Sequence, residues 1–294
     1  MRDAAAVLLI NLFGFHRSCH SVNPWEEAMS TIVTSEQIDE FREKGVTVLT
    51  GMFSDWVDVL RKGVDANMAD PNPNARIYTG KDGGGRFFVD YCNWARIPEY
   101  REFIFNSKAA ATGAELMDSK QVQLFHEHVL VKEAATVVPT PWHQDAPYYC
   151  VDSAKTVSLW IPLDDVPRET TPEFISGSHK WDKFYRPQRF DGSALNEHDG
   201  LEHIPDINVN REDYDILGWE VGPGDAIAFD YRTIHGAPAN ASKSNKRRAF
   251  SLRLVGDDTR FVRREGIVTS PPFPQVTLEH GDILTGEEFP VLLN

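Results

Sequence analysis

The sequence predicts a mainly β protein with flanking helices, and three observations carry that expectation. From residue 120 onward the chain reads as strands, "VQLFHEHVLVK", "TVSLWIPL", "GWEV", "DAIAFDYRTIH" and "RRAFSLRLVG", rich in β-branched and aromatic residues. These strands follow the helical segments without alternating with them, which points to an α+β or all-β core with helices packed outside. Two of them also carry one small or polar face. Thr156, Ser158 and Trp160 alternate with Val157, Leu159 and Ile161, and Arg247, Ala249, Ser251 and Arg253 alternate with Arg248, Phe250, Leu252 and Leu254. A sheet covered by helices turns its Phe/Leu face outward to them, so the small and polar face is left to line a ligand cavity.

The elements follow in order. "TSEQIDEFREKG" opens with a Thr34-x-x-Gln37 capping box, starts an apolar face at Ile38 and Phe41, and stops at Gly45. "VTVL" then reads as a strand, and residues 54–68 as an amphipathic helix using Trp56, Val59, Leu60 and Val64. Residues 69–86 are turn-rich and read as a mobile loop, and a helical stretch runs over about 99–118. Between "TVSLWIPL" and "GWEV" lies a charged insertion, about 165–215. No internal repeat or linker interrupts residues 29–294, which read as a single domain behind an N-terminal extension, 1–28, of unassigned status.

Charge narrows the partners. The 294 residues carry 30 Lys and Arg against 44 Asp and Glu, a formal charge of -14. Nucleic acid and anionic membrane surfaces would be repelled, and a bulky polyanionic substrate would need a local basic patch. A small-molecule substrate is the partner class that is left, with oligomeric state open. Cys19, Cys92 and Cys150 form neither a C-x-x-C motif nor an even framework, which suits free thiols in a reducing, cytoplasmic setting. The apolar run "AAAVLLINLFGF" at 4–15 is too short for a membrane span, and Asp3 and the following "HRSCHSVN" argue against an export signal.

The chemistry centres on "PTPWHQDAPYYC". His143 and Asp145, two positions apart, supply two of the three ligands of a facial metal triad of two histidines and one carboxylate. His235 supplies the third ligand at the end of "AIAFDYRTIH", where Ile227, Phe229, Tyr231, Thr233 and His235 share a face on one continuous strand. Each pair alone has a bland alternative, a polar group hydrogen-bonded at a strand end. Twelve residues beyond His235, Arg247 offers a guanidinium fork suited to a distal carboxylate, as 2-oxoglutarate would present.

"LVKEAATVVPTPWHQDAPYY", "VSLWIPLDD", "FISGSHKW", "GPGDAIAFDYRTIHGAPAN" and "RRAFSLR" together resemble the phytanoyl-CoA dioxygenase family in order and spacing, over roughly residues 33 to 290. The resemblance implies a double-stranded β-helix, a jelly roll of the cupin type. It implies Fe(II), 2-oxoglutarate and O2 as cofactor and cosubstrates, with His143, Asp145 and His235 binding iron. Arg247 would hold the cosubstrate's distal carboxylate and Trp160 would pack beside it. The implied activity is hydroxylation of an unactivated C–H bond in a small organic substrate, with release of succinate and CO2. Ala237 departs from the hydroxyl-bearing residue frequent two positions after the distal histidine, and the double arginine leaves Arg248 as an alternative to Arg247. The carboxylate ligand speaks against the halogenating branch.

Tyr148 and Tyr149, just past the metal motif, and His126 and His128, on a strand bordering the pocket, are the candidate substrate contacts. Gln144, Trp142 and Lys132 are candidates for support around the site, and His179 for a turn hydrogen bond. Two other classes stay open: a metal-binding cupin of different chemistry, and a non-catalytic small-molecule binder on the same fold.

Overall fold

Thr34 starts the fold as its capping box requires. Its side chain accepts from the Gln37 amide at 3.2 Å, while Gln37 Oε1 accepts from the Thr34 amide at 3.1 Å. The computed structural model describes residues 31–81, 83–193, 195–196, 200–264 and 266–294, and Ile32–Asn294 form one compact unit. The extension at 1–28, with Cys19, lies outside the described residues.

Helices and strands run in the order α1 (Ser35–Lys44), β1 (Val46–Leu49), α2 (Val57–Ala69), β2 (Arg76–Tyr78), β3 (Phe87–Tyr91), α3 (Pro98–Asn106), α4 (Ala109–Met117) and β4 (Val122–Lys132). The rest is β: β5 (Thr140–His143), β6 (Val151–Asp152), β7 (Thr156–Pro162), β8 (Glu173–Ile175), β9 (Ile216–Leu217), β10 (Ala226–Phe229), β11 (His235–Ala237), β12 (Arg247–Val255), β13 (Arg260–Phe261) and β14 (Val291–Leu293). The larger sheet has the order β1-β10-β7-β12-β4-β3-β2, with β14 added on β4. The smaller has the order β5-β11-β8-β9, and all the named pairings are antiparallel.

The two faces of the larger sheet do different work. Its outer face packs Val157, Leu159, Ile161, Phe250, Leu252 and Leu254 against Leu60, Val64, Phe103 and Leu116 of the helices. At about 1.5–3 kcal/mol per buried large apolar side chain, this layer supplies the main stabilisation and fixes which face of β7 and β12 turns inward. The inner faces of the two sheets meet through Trp160, Phe174, Ile227, Phe229 and Ala249. The expected double-stranded β-helix, a mainly β jelly roll with flanking helices, is the observed fold.

Several local expectations are corrected. The loop over 69–86 contains β2, which pairs Arg76 with Val89 and extends the large sheet. The helical stretch at 99–118 is two helices, broken at Ser107–Lys108. The charged insertion contributes β8 to the small sheet, and "GWEV" forms only an isolated Val221–Val166 bridge after β9.

Most consequential, "DAIAFDYRTIH" is not one strand. It leaves the large sheet at Phe229, turns at Asp230–Thr233 with a 3.0 Å backbone hydrogen bond, and enters the small sheet at His235. Period-2 patterning cannot register a strand that changes sheets, because side-chain alternation continues through a short bend. Gly45 anchors that crossover. Its carbonyl accepts from the Asp230 amide at 3.0 Å and from Thr233 Oγ1 at 2.8 Å.

Gly45 itself adopts φ +78°, and a Cβ there would lie 2.5 Å from Thr233 Oγ1. Gly45→Ala is therefore expected to destabilise the fold by about 1–3 kcal/mol, read as a lower denaturation midpoint. An unchanged midpoint would remove Gly45 as the anchor of the crossover.

Candidate metal and cosubstrate site

Antiparallel register places the first two imidazoles. His143 on β5 pairs directly with His235 on β11, and their ring centroids lie 4.2 Å apart. The Nδ1 atom of each bonds the carbonyl two residues earlier, Pro141 at 2.8 Å and Thr233 at 2.9 Å. With Nδ1 protonated, each ring keeps its Nε2 lone pair for a ligand, the usual arrangement behind a metal-bound histidine.

Asp145 does not continue β5. It lies just beyond the strand with helical dihedrals, φ -77° and ψ -40°, at the head of a short 3-10 turn. Its amide donates to the Tyr231 carbonyl at 2.9 Å, which turns the side chain toward both histidines. Among the described residues, His143, Asp145 and His235 are the group of three whose ligand atoms lie within 4.8 Å of one another.

The carboxylate is fully buried and well supported. Tyr148 Oη donates to Oδ1 at 2.5 Å, and Arg253 and Ser158 Oγ each approach Oδ2 to 3.5 Å. Burial acts to raise the Asp145 carboxyl, but Arg253 and the neighbouring histidines outweigh it and hold it well below the usual carboxylate range. His235 is pushed down to about 3, chiefly by burial and then by His143. An ionised carboxylate beside two imidazoles is the donor set that a divalent iron accepts.

From this triad a narrow cavity of about 70 Å³ runs between the sheets, lined by Trp160, Phe174, Phe229, Ala249, Ser251 and Arg247 among others. Arg247 is buried, and among the described residues no carboxylate pairs with it; its NH1 reaches only the Thr170 carbonyl. Burial lowers it to about 10, so it stays charged at neutral pH. A buried guanidinium without a counter-ion fits an anionic ligand group.

Arg248 is placed elsewhere, which corrects its standing as an alternative. It is on the opposite face of β12, where Nε and NH2 bond both oxygens of Asp164 at 3.0 and 2.6 Å. Adjacent residues on a strand point to opposite faces, and the outer face has its own carboxylate to satisfy that charge.

A larger chamber of about 300 Å³ opens outward from the same histidine. His126, His128, Tyr148 and Tyr149 all line it, together with Tyr78, Tyr91 and Phe190. Among the described residues, His126 Nδ1 and His128 Nε2 have no hydrogen-bond partner. Glu127, between them, points to the other face, where it accepts from the Asn93 amide. The supporting candidates sit outside the cavity: Gln144 ties Lys183 and Arg232 carbonyls at 3.1 and 2.9 Å, Trp142 donates to Asn208, and Lys132 to the Pro238 carbonyl. His179 Nε2 donates to the Arg42 carbonyl, and Cys150 is buried in an apolar cluster.

Sequence reasoning missed Arg253, which shares a face with Arg247 and reaches Tyr149 Oη at 3.0 Å as well as Asp145. The alternation of β12 contained the signal, but a second inward arginine carries no pattern that names its partner.

Fold and site together define an iron- and 2-oxoglutarate-dependent oxygenase-type enzyme. Residues 41–249 match the phytanoyl-CoA dioxygenase (PhyH) family, and the chain belongs to that family. No curated protein sequence matches the chain. Among solved structures, it is similar to the non-heme alpha ketoglutarate dependent carbocyclase SnoK from nogalamycin biosynthesis, with 21% identity, TM-score 0.69, and 88% and 96% of the two chains covered. The epimerase SnoN in complex with Fe3+, alpha ketoglutarate and nogalamycin RO matches at 22% identity and TM-score 0.69, covering 87% of this chain and 97% of that one. EctD from S. alaskensis, with 2-oxoglutarate and 5-hydroxyectoine, matches at 19% identity and TM-score 0.65, covering 87% of each chain. At these identities the likeness concerns the fold. No helix among the described residues is long and apolar enough to cross a membrane.

The neutral histidines set a pH response. His128 is lowered to about 3 and His126 well below 6.5, in both cases first by burial and then by Arg253. A depressed folded pKa gives stability that is present above the unfolded value and lost as pH falls toward the folded one. The metal-free protein should therefore lose stability as pH drops from 6.5 toward 3, and replacing both histidines by Gln should flatten that slope in denaturation experiments. An unchanged slope would mean the two rings are not held neutral.

Proposed function

We propose that the enzyme hydroxylates an unactivated C–H bond of a small organic substrate, converting 2-oxoglutarate and O2 to succinate and CO2. One observation carries this reading: the His143–Asp145–His235 cluster sits where an inner cavity ending at the unpaired Arg247 meets an outer chamber open to solvent.

His143, Asp145 and His235 would hold iron, and the two cavities meet at these residues. When bound, iron with 2-oxoglutarate and O2 supplies the oxidising power that removes a substrate hydrogen and delivers one oxygen atom. The protein's contribution is placement and electrostatics. Arg247 binds the distal carboxylate of 2-oxoglutarate, and Trp160, Phe174 and Phe229 enclose its chain and exclude water. Tyr148 and Arg253 fix the Asp145 carboxylate, so that the metal direction is set before substrate enters. Tyr148, Tyr149, His126 and His128 face the substrate, the last two as neutral imidazoles able to donate or accept.

The resemblance to a carbocyclase and an epimerase shows how one scaffold is found with different product outcomes. The outcomes separate by mass: hydroxylation adds one oxygen to the substrate, whereas ring closure and epimerisation add none.

Two measurements test this reading. Anaerobic addition of 2-oxoglutarate to the Fe(II) protein should produce a visible absorption band, and O2 should then yield succinate. Absence of both would sink it. Asp145→Ala should abolish iron retention and succinate formation. Arg247→Gln should weaken 2-oxoglutarate binding about 10–100-fold, the worth of a charge-assisted pair, while Arg248→Gln should change it less than about twofold. The reverse ranking would overturn the assignment of the inward face of β12.

A further inference from the structure

We propose that the substrate is an uncharged hydroxyl compound, and that His126 and His128 on the floor of the outer chamber bind its hydroxyl group beside the C–H bond that reacts. This rests on the oxygenase reading above and specifies its substrate class.

His126 and His128 are two residues apart on β4, so their side chains share a face. The strand register shows which face it is. His126 pairs with Arg253 and His128 with Ser251, and both partners belong to the inward side of β12. Both imidazoles accordingly line the outer chamber, and His128 lines the inner cavity as well. His143 borders the same two spaces, so this histidine pair stands beside the metal ligands.

Aromatic edges hold the two rings. Tyr91 packs edge-on against His128 at 5.7 Å and Tyr149 against His126 at 5.2 Å, which sets the two imidazole centroids 6.5 Å apart. His126 is 2% exposed, and among the described residues His126 Nδ1, His128 Nε2 and Ser251 Oγ are buried without a hydrogen-bond partner. Ser251 adjoins His128 across the strand pair, so the three atoms belong to one cluster. Unmatched buried polar atoms destabilise a fold, and apolar side chains of the same shape would fill this floor at lower cost. A ligand group that reaches the floor recovers the missing bonds. The neighbouring hydroxyls are already engaged: Tyr148 Oη donates to Asp145, and Tyr149 Oη accepts from Arg253 Nε.

The chemistry of the pair selects a hydroxyl. A neutral imidazole offers one N–H and one lone pair. A hydroxyl both donates and accepts, so it satisfies the N–H of one ring and the lone pair of the other. An ether or carbonyl oxygen only accepts, and an ammonium only donates. Charge argues against ions here. Arg253, opposite His126, repels a cation, and Asp145, which already neutralises Arg253, repels an anion. Away from the floor, Val89, Phe190, Pro271 and Pro272 suit an apolar body, and about 300 Å³ is at the small end of ligand clefts.

Two measurements test the proposal. In the full-length protein without ligands at pH 8, His126→Phe/His128→Phe removes the nitrogens and keeps flat rings. Its denaturation midpoint is expected to equal or exceed that of the wild type, whereas a lower midpoint would show that the nitrogens serve the fold and would overturn the proposal. Calorimetric titrations of the protein loaded with Fe(II) and 2-oxoglutarate under nitrogen then compare 3-phenyl-1-propanol, butylbenzene and 3-phenylpropanoate as probes. The alcohol is expected to bind about tenfold more tightly than either of the others, and in the double variant no more tightly than butylbenzene. No binding of the alcohol, tighter binding of the carboxylate, or an alcohol preference that survives the double variant would each sink the assignment. The absorption band formed before any probe is added reports on the oxygenase reading separately.

Discussion

A single fully buried carboxylate, Asp145, constrains more of this structure than any other group. An isolated carboxylate would cost several kcal/mol to bury, so every polar atom around it has to be supplied by the fold. Tyr148 follows it on the same turn, Ser158 comes from β7, Arg253 from β12, and the histidines from β5 and β11. Four strands in two sheets must be in register before that charge is satisfied. The cluster thus links the closure of the barrel to the formation of the site, and neither can relax without exposing the other.

β12 shows how one strand answers both demands. Phe250, Leu252 and Leu254 bind the helical layer, while Arg247, Ala249, Ser251 and Arg253 face the cavity. Ala249 and Ser251 are small where the cavity needs room, and the arginines stand at either end of that gap. Arg247 has no carboxylate partner among the described residues, and Arg253 is committed to Asp145 and Tyr149. Arg248, between them in sequence, is neutralised by Asp164 on the far side. Three arginines within seven positions thus meet three different fates, decided by strand alternation and by where carboxylates lie.

That alternation is also why much of the fold could be read directly. The capping box at Thr34, the stop at Gly45, and the full extents of β4 and β7 follow from local chemistry, and local chemistry is what a single sequence displays. The cavity-facing side of β12 needed one added inference, that helices cover the other side. What escaped was non-local. The chain's change of sheet between Phe229 and His235 depends on Gly45, more than 180 residues away in sequence, accepting two hydrogen bonds. β2 lay hidden in a Gly- and Pro-rich stretch because its pairing with β3, not its own propensity, makes it a strand. The position of Asp145 beyond the end of β5 does not alter the ligand set, since direction toward the histidines comes from the Tyr231 carbonyl.

The electrostatics of the cavity follow from the same crowding of cations. Burial lowers His126, His128 and Lys132, and the nearest arginine lowers each of them further: Arg253 for the histidines, Arg247 for the lysine. These two histidines and the lysine are thereby pushed toward their neutral forms. The positive charge that remains belongs to arginines, whose intrinsic basicity is high enough that even Arg247, lowered to about 10, keeps its proton. A site built this way presents fixed cations at defined places and neutral imidazoles between them. An overall charge of -14 sharpens the contrast between those buried cations and the rest of the protein.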